Sequence, residues 1–362
     1  MSFRILSLHP HSVSTKIALY EDSDEIAREE IHHDPYELSQ ISDISVQRTY
    51  RLRALKEVAA SWTKSGDRLA DAVIGMAYMP VPTPVGVYLI DGEFLRRIWR
   101  IKSDRKQHNL GALLAASLTK PRESAAYALL TFSSDEFDGV ARMSGIPSFH
   151  FGKMTHAIYI KGAARRASRD LGIPFGEVSL VVAHLGRGFS ICAHSEGRIR
   201  DMTITFERGP FSQARSGGLP SAGIVRMAYS GMWSKNDLLE RLHVCGGLMS
   251  YMETDDLSEV MSRMAEGDEY AAMIMRGMIY QTASEIAAMA VTLGGSVDAI
   301  VLEGSCTLDD AFVEMLKGRI SWITDKILVY REDDELIVLA RAALKALRGE
   351  DQVFRYTCAA VK

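Results

Sequence analysis

The chain has 362 residues, which at roughly 150 residues per domain indicates about two domains, and its formal net charge is −4. This charge argues against a protein that grips nucleic acid through a basic face. The cysteines (Cys192, Cys245, Cys306 and Cys358) include no C-x-x-C pair, which disfavours a disulfide framework or a zinc ribbon. The N-terminal apolar run is too short for a signal peptide, and every stretch of membrane-spanning length carries charge. We therefore expect a cytoplasmic protein.

The first thirty residues predict a three-stranded antiparallel meander. Apolar runs at 4–8 and 16–20 flank a turn-rich segment, and an alternating run covers 25–32. A second unit with the same strand–loop–strand–turn–strand pattern occupies 178–183, 189–193 and 198–205. The repetition of this pattern predicts two lobes with related cores.

Helical segments separate and follow these strands. Apolar periodicity or helix propensity predicts helical segments at 48–65, 112–119, 157–171, 257–289, 309–323 and 334–347. The segment 257–289 is interrupted by Gly267-Asp268. A continuous apolar run at 297–302 predicts a buried strand. Strands that alternate with helices favour α/β layers over a helix bundle or a β-sandwich.

Two of the predicted hairpin tips carry residues that suit phosphate binding. In the first tip, Ser12, Ser14 and Lys16 supply hydroxyls, backbone N–H groups and an ammonium group. In the second tip, which follows His184, the glycines on either side of Arg187 let the backbone approach an anion closely. The alternatives are a solvated turn for the first tip and a plain turn beside a buried histidine for the second.

Three further segments are candidates. The Gly-, Pro- and Ser-rich loop 209–220 is of a length that is usually functional, and Arg215 in its middle is either suited to neutralise a phosphoryl group or simply exposed. The strand at 297–302 leads to Gly304 and Ser305, a common position for a nucleotide base or ribose. The acidic run 332–335 either favours the N-terminus of the helix that follows or binds magnesium through water.

Taken together and in this order, the segments resemble the butyrate kinase family. The strings that carry the resemblance are V-A-H-L-G at 182–186, G-P-F-S at 209–212, R-S-G-G-L-P at 215–220 and V-D-A-I-V-L at 297–302. The resemblance extends over nearly the whole chain and implies the two-lobed actin-like ATPase fold of acetate and sugar kinases, an α/β fold with a cleft between two similar domains. It implies lobes at 1–150 and 151–332, with the segment 333–362 packed on the N-terminal lobe.

The resemblance also implies an activity. The family moves a phosphoryl group between ATP and a short-chain carboxylate such as butyrate, which gives an acyl phosphate. Such chemistry needs magnesium and positive charge at the transferring group. A homodimer or larger homo-oligomer is implied as well, without a nucleic-acid or membrane partner.

Residues that match the family's motifs take the family's roles by resemblance. Those that match its nucleotide and phosphate loops are Ser12, Ser14, Lys16, His184, Gly186, Arg187, Gly188, Gly304 and Ser305. Arg215 matches the arginine of the R-S-G motif and His156 matches a histidine before the helix between the lobes, and both are implied as catalytic. Glu335 matches the carboxylate near the metal.

Several positions depart from the family's pattern. His9 and His11 replace Asn and Gly in the first loop, and Arg187 replaces the middle glycine of the second. Met76 stands where the family has an arginine, and Ser305 replaces a glycine. These departures leave two alternatives beside an active carboxylate kinase. One is a catalytically degenerate member (a pseudoenzyme) that senses a nucleotide or acyl phosphate, and the other is a scaffold kept as an interaction partner.

Overall fold

Two β-sheets organise the part of the chain that the computed structural model describes, which comprises residues 2–11, 13–41, 43–63, 68–79, 86–101, 108–119, 123–130, 137–151, 156–203, 208–331 and 335–356. One sheet lies in a unit formed by Met1–Ser134 with Asp334–Lys362, and the other in Asp135–Asp333. The C-terminal segment therefore belongs to the same unit as the N-terminus.

The strands in chain order are β1 (Arg4–Pro10), β2 (Ser14–Glu21), β3 (Asp24–His32), β4 (Ala72–Ala77), β5 (Gly86–Leu89), β6 (Ala125–Leu130), β7 (Leu180–Leu185), β8 (Phe189–Ser195), β9 (Arg198–Met202), β10 (Ala299–Glu303), β11 (Ile327–Tyr330) and β12 (Val353–Phe354). The sheet orders are β12-β5-β6-β4-β1-β2-β3 and β11-β10-β7-β8-β9. Each sheet contains an antiparallel meander whose first strand is flanked by a parallel strand, β4 beside β1 and β10 beside β7. This shared topology confirms the predicted α/β architecture with two related cores.

The helices are α1 (Pro35–Ser39), α2 (Ile44–Ser61), α3 (Gly92–Arg100), α4 (Leu110–Leu118), α5 (Ala157–Leu171), α6 (Ser221–Ala228), α7 (Lys235–His243), α8 (Leu248–Met252), α9 (Leu257–Ala265), α10 (Glu269–Thr292), α11 (Asp310–Ile320) and α12 (Glu335–Arg348). The interruption predicted at Gly267-Asp268 divides the segment 257–289 into two helices, because Gly267 at φ +94° ends α9 and Asp268 caps α10 by accepting from the Ala271 N–H. Among the described residues, no helix has both the length and the apolar character that crossing a bilayer requires.

Helices cover the sheet faces and fix the ends of the strands. In the first unit α12 packs on β1 and β4 and buries Leu336 and Leu339 completely. Helix α4 lies directly on β4 because two glycines meet there: a Cβ on Gly75 would lie 2.4 Å from the carbonyl oxygen of Gly111. In the second unit α10 packs on β7 and β8. Its buried methionines, such as Met275, are core residues.

Candidate functional site

The first predicted phosphate loop is the turn between β1 and β2. The backbone N–H of His11 donates to the Ser14 carbonyl at 2.8 Å and closes the turn. The Ser14 hydroxyl donates to Glu30 Oε1 at 2.7 Å, and this hydrogen bond holds the pKa of Glu30 below its usual value. Lys16 lies opposite Glu30 in the β2–β3 register, so the two side chains share one face of the sheet. Ser12, the remaining residue predicted for this loop, lies outside the described residues.

A buried polar network supports this turn from behind. Arg51, on α2, is 2% exposed and donates through Nη1 to the Ser14 carbonyl at 2.7 Å and to Thr15 Oγ1 at 2.9 Å. The Thr15 hydroxyl also lies 2.9 Å from His33 Nε2. Burial lowers the pKa of His33 to about 4, and the charge of Arg51 adds to the effect. The network fixes the backbone of the turn and keeps the imidazole neutral at physiological pH.

The two histidines that replace Asn and Gly in this loop converge on one carboxylate. His9 Nδ1 lies 2.8 Å from Glu335 Oε2, and His11 Nε2 lies 3.3 Å from the same oxygen. The imidazole rings stack with centroids 4.5 Å apart and planes 4° from parallel. Burial alone would raise the pKa of Glu335, but the two imidazoles outweigh it and hold this pKa well below its usual range. The sequence placed all three residues in functional motifs without predicting that they touch.

The strand that carries Met76 ends beside α4. Met76 pairs with Leu129 in the β4–β6 register. Two residues later, the Tyr78 N–H donates to Oδ1 of Asn109, which is fully buried at the start of α4. The carboxyl end of β4 is therefore tied to the start of α4, and a thioether stands where the resemblance predicts an arginine.

The second predicted phosphate loop joins β7 to β8, and its histidine has a carboxylate partner. His184 Nδ1 lies 3.3 Å from Glu303 Oε1, and both residues are 7% exposed. The other ring nitrogen of His184 faces the loop, since a Cβ built on Gly186 would lie 3.4 Å from Nε2. Gly186 and Gly188 are buried, whereas Arg187 between them is exposed. The Glu303 carboxylate thus orients the imidazole toward the glycine backbone of the loop.

The end of β10 lies against this loop because Gly304 has no side chain. Its φ is +97°, and a Cβ there would lie 2.7 Å from the carbonyl oxygen of Leu185. Ser305 follows, with its hydroxyl 3.6 Å from where a Cβ of Gly186 would stand. The ends of β7 and β10 therefore bring the predicted nucleotide residues of the second unit into one cradle of glycine backbone.

The loop that contains Arg215 is anchored to the same cradle. The Ser212 hydroxyl donates to the Arg187 carbonyl at 2.8 Å, and the Ala214 N–H donates to the same oxygen at 3.2 Å. The side chain of Arg187 pairs with Asp255 at 2.8 Å. Burial lowers the pKa of Arg215 to about 10, and the nearby charge of Arg187 contributes. Arg215 remains cationic at neutral pH, so two guanidinium charges lie close together beside the second loop.

His156 is placed by an uncommon backbone conformation. It begins α5 with φ +56°, in the left-handed region that non-glycine residues seldom adopt. Its Nδ1 lies 2.9 Å from the Ser190 hydroxyl, and its ring centroid is 4.3 Å from that of His184. The centroid of the Tyr159 ring is 5.2 Å from that of His184. These contacts join His156 to the second loop. Uncommon backbone conformations such as that of His156 often occur at functional sites.

The structure brings most of the predicted residues together within their own units. In the second unit these are His156, His184, Gly186, Arg187, Gly188, Arg215, Gly304 and Ser305, and in the first unit they are Ser14 and Lys16 on one hairpin and His9, His11 and Glu335 in a second cluster. Sequence reasoning missed the partners Arg51 and Ser190, and it missed the contact of Glu303 with His184. No spacing along the chain signals these partners, because each pairs with a residue on another element.

Comparison with known proteins supplies the family. The model described as the Acetokinase family matches residues 118–317. The chain is 33% identical to "Probable butyrate kinase 2" of Caldanaerobacter subterraneus subsp. tengcongensis, over 96% of this chain and 98% of that protein. It is 31% identical to "Butyrate kinase 1" of Clostridium acetobutylicum, over 98% of this chain and 99% of that protein. The crystal structure of Porphyromonas gingivalis acetate kinase matches with a TM-score of 0.74 at 15% identity, over 94% and 98% of the two chains, which supports the predicted two-lobed actin-like fold.

Proposed function

The chain belongs to the acetokinase family, and on that premise we propose that it transfers a phosphoryl group between ATP and a short-chain carboxylate of the butyrate class. The observation that carries the proposal is the cradle in which Gly304 lies against Leu185 beside His184. A Cβ there would clash with the Leu185 backbone, so the glycine lets the ends of β7 and β10 pack together at the position where a nucleotide base or ribose commonly lies.

The roles of the nucleotide-binding residues follow from their placement. The buried backbone of Gly186 and Gly188 would donate N–H groups to phosphate oxygens, with the imidazole of His184 directed to the same loop. Gly304 and Ser305 would receive the adenosine. In the first unit, Lys16 would supply positive charge, and the Ser14 hydroxyl would hold the turn through Glu30 rather than touch phosphate.

We assign to Arg215 the role of binding the phosphoryl group while it is transferred. A carboxylate oxygen attacks the γ-phosphorus, the bond from that phosphorus to the β–γ bridging oxygen breaks, and ADP leaves with its electron pair. Charge spreads over the equatorial oxygens in the transition state. A guanidinium offers planar paired donors to such oxygens, and the charge of Arg187 close by adds to the field. His156 would position His184 through their ring contact.

Magnesium is the cation that this chemistry ordinarily uses, and the residues around Glu335 do not fit it as a direct ligand set. Magnesium prefers six oxygen ligands and keeps several waters, whereas Glu335 faces two imidazole nitrogens. We therefore propose that magnesium enters with the ATP phosphates. The contact of Glu335 with magnesium through water stays a prediction from the resemblance.

The proposal is tested by acyl phosphate formation. Purified protein with ATP and magnesium is supplied with unbranched carboxylates of two to five carbons, and the product is trapped as the hydroxamate. Arg215→Ala is expected to lower kcat by about 10³-fold, as loss of a transition-state arginine does. The exposed Arg226 provides the matched control, and Arg226→Ala should retain the wild-type rate. Absence of product from every carboxylate, beside an active family enzyme, would contradict the proposed activity.

A further inference from the structure

His9, His11 and Glu335 form a cluster at the first phosphate loop, and their donor groups are those of a transition-metal site. His9 and His11 lie two residues apart at the end of β1, and Glu335 begins α12. We propose that these three side chains bind one divalent cation of the zinc class, and not magnesium. The inference concerns a site in the first unit only, so it does not depend on phosphoryl transfer by this chain.

The spacing of the donor atoms carries the proposal. One ring nitrogen from each histidine and one Glu335 oxygen all lie within 4.8 Å of one another. Zinc bonds of about 2.0–2.1 Å in a tetrahedral shell place neighbouring ligand atoms about 3.3–3.4 Å apart. The separations of 2.8 Å and 3.3 Å from Glu335 Oε2 to the two nitrogens differ from that value by about 0.6 Å or less. Because the two rings are stacked, they must rotate for both nitrogens to point at one ion, and the separations from Glu335 Oε2 show that the shifts required are small.

The elements that carry the ligands hold them in place. Helix α12 packs on β1, where Leu336, next to Glu335, is fully buried. His9 pairs with Lys16 in the β1–β2 register, which fixes the direction of its side chain. The hydrogen bond from the His11 N–H to Ser14 anchors the second histidine. A three-ligand set on packed elements needs little ordering when the metal binds, which favours affinity.

The chemistry of the donors selects the metal. Two imidazole nitrogens and one carboxylate oxygen suit zinc, cobalt, nickel and copper, whereas magnesium is a poor match for nitrogen ligands. The three ligand atoms themselves are buried, yet their side chains are 17–34% exposed. Three protein ligands with access to solvent leave a fourth position to water, as in zinc sites that are open.

The test uses cobalt(II) as a spectroscopic probe on the full-length chain, free of tags and without nucleotide. The expected result is one cobalt ion per chain, with the intense visible absorption of a four-coordinate site. Zinc should displace it and a large excess of magnesium should not. A chain that gives no such spectrum, or one from which magnesium removes the cobalt, would overturn the proposal.

Variants assign the site to these residues. Since loss of a group that merely supports a ligand costs about 10- to 100-fold in metal affinity, His9→Asn and His11→Gly should each weaken cobalt binding by about 100-fold or more. The exposed His32 is the matched control, and His32→Gln should bind as the wild type does. Circular dichroism and the thermal transition would establish that each variant is folded. Wild-type affinity in folded His9→Asn and His11→Gly would show that the cluster is only an ion pair. Because no substrate is present, failure here leaves the kinase assay to judge the proposed function separately.

Discussion

His33 should make the first unit sensitive to acid. Its side chain is 7% exposed and contacts Thr15, behind the β1–β2 turn. Burial, and next the charge of Arg51, lower its pKa from 6.5 to about 4. Well above pH 6.5 the imidazole is neutral in both the folded and the unfolded chain. Between pH 6.5 and pH 4 the unfolded chain binds a proton that the folded chain does not, so the free energy of unfolding falls as the pH falls.

The size of the loss follows from the two pKa values of His33. Linkage between pKa values of 6.5 and about 4 removes about 2 kcal/mol from the free energy of unfolding between pH 7.5 and pH 5, with a limit of about 3 kcal/mol below pH 4. Glutamine can keep a hydrogen bond to Thr15 but has no titrating group. The His33→Gln variant should therefore lose about 2 kcal/mol less than the wild type over this pH range.

Guanidinium unfolding at pH 7.5, 6.5 and 5 measures this difference. Trp62 and Trp99 report on the first unit when the other two tryptophans are replaced by phenylalanine. His32→Gln, which changes the exposed neighbour and removes only the smallest of the causes that lower the pKa of His33, should keep nearly all of the wild-type pH dependence. Parallel pH profiles for the wild type and His33→Gln would refute the reasoning, because the buried imidazole would then titrate as it does in the unfolded chain.

Three other substitutions probe the second unit. Gly304→Ala should cost about 2 kcal/mol or more in the free energy of unfolding and abolish ATP binding, because the φ of +97° and the close approach of a carbonyl oxygen exclude a Cβ. The control is Gly318→Ala, in an exposed helical position with open space around it, which should be neutral or slightly stabilising when unfolding by denaturant is measured. Arg215→Lys keeps the positive charge but loses the planar paired donors of the guanidinium, so its kcat in the hydroxamate assay should be about tenfold or more lower than that of the wild type. Full activity would show that charge alone suffices. Arg187→Gly should change stability by less than about 1 kcal/mol, since its ion pair is exposed, and should raise the KM for ATP by about tenfold; an unchanged KM would mean that this guanidinium does not reach the nucleotide.

The strands and the loops of this fold could be predicted from the sequence because the signals for both lie in residues that are neighbours in the chain. The meanders of the two units follow from apolar runs separated by turn residues, and their strands pair with neighbours in the chain. The break between α9 and α10 could also be predicted, because Gly267-Asp268 interrupts the apolar period that runs through both helices. Here the local pattern gives the position of the elements, and a glycine with positive φ marks the end of α9.

The candidate site was less predictable because its contacts join distant parts of the chain. Glu303 and His184 are 119 residues apart, and only the parallel pairing of β10 with β7 places them side by side. Arg51 reaches Thr15 from α2, across 36 residues, and no motif marks it as part of the first loop. Motifs identify residues that touch a ligand, but the residues that orient them depend on packing between elements.

The first loop shows why changes at several motif positions need not be independent losses. His9 and His11 would crowd a phosphate turn if each imidazole pointed into it. Instead, both rings stack and turn toward Glu335, which begins a helix at the other end of the chain. A carboxylate that the resemblance places near a metal thereby gains two nitrogen neighbours, and the donor set changes from one suited to magnesium to one suited to zinc. Because both imidazoles lie against one oxygen of Glu335, a change of His11 alone to glycine would leave two of the three ligands, His9 and Glu335. The substitutions are therefore best understood, and best tested, as one unit.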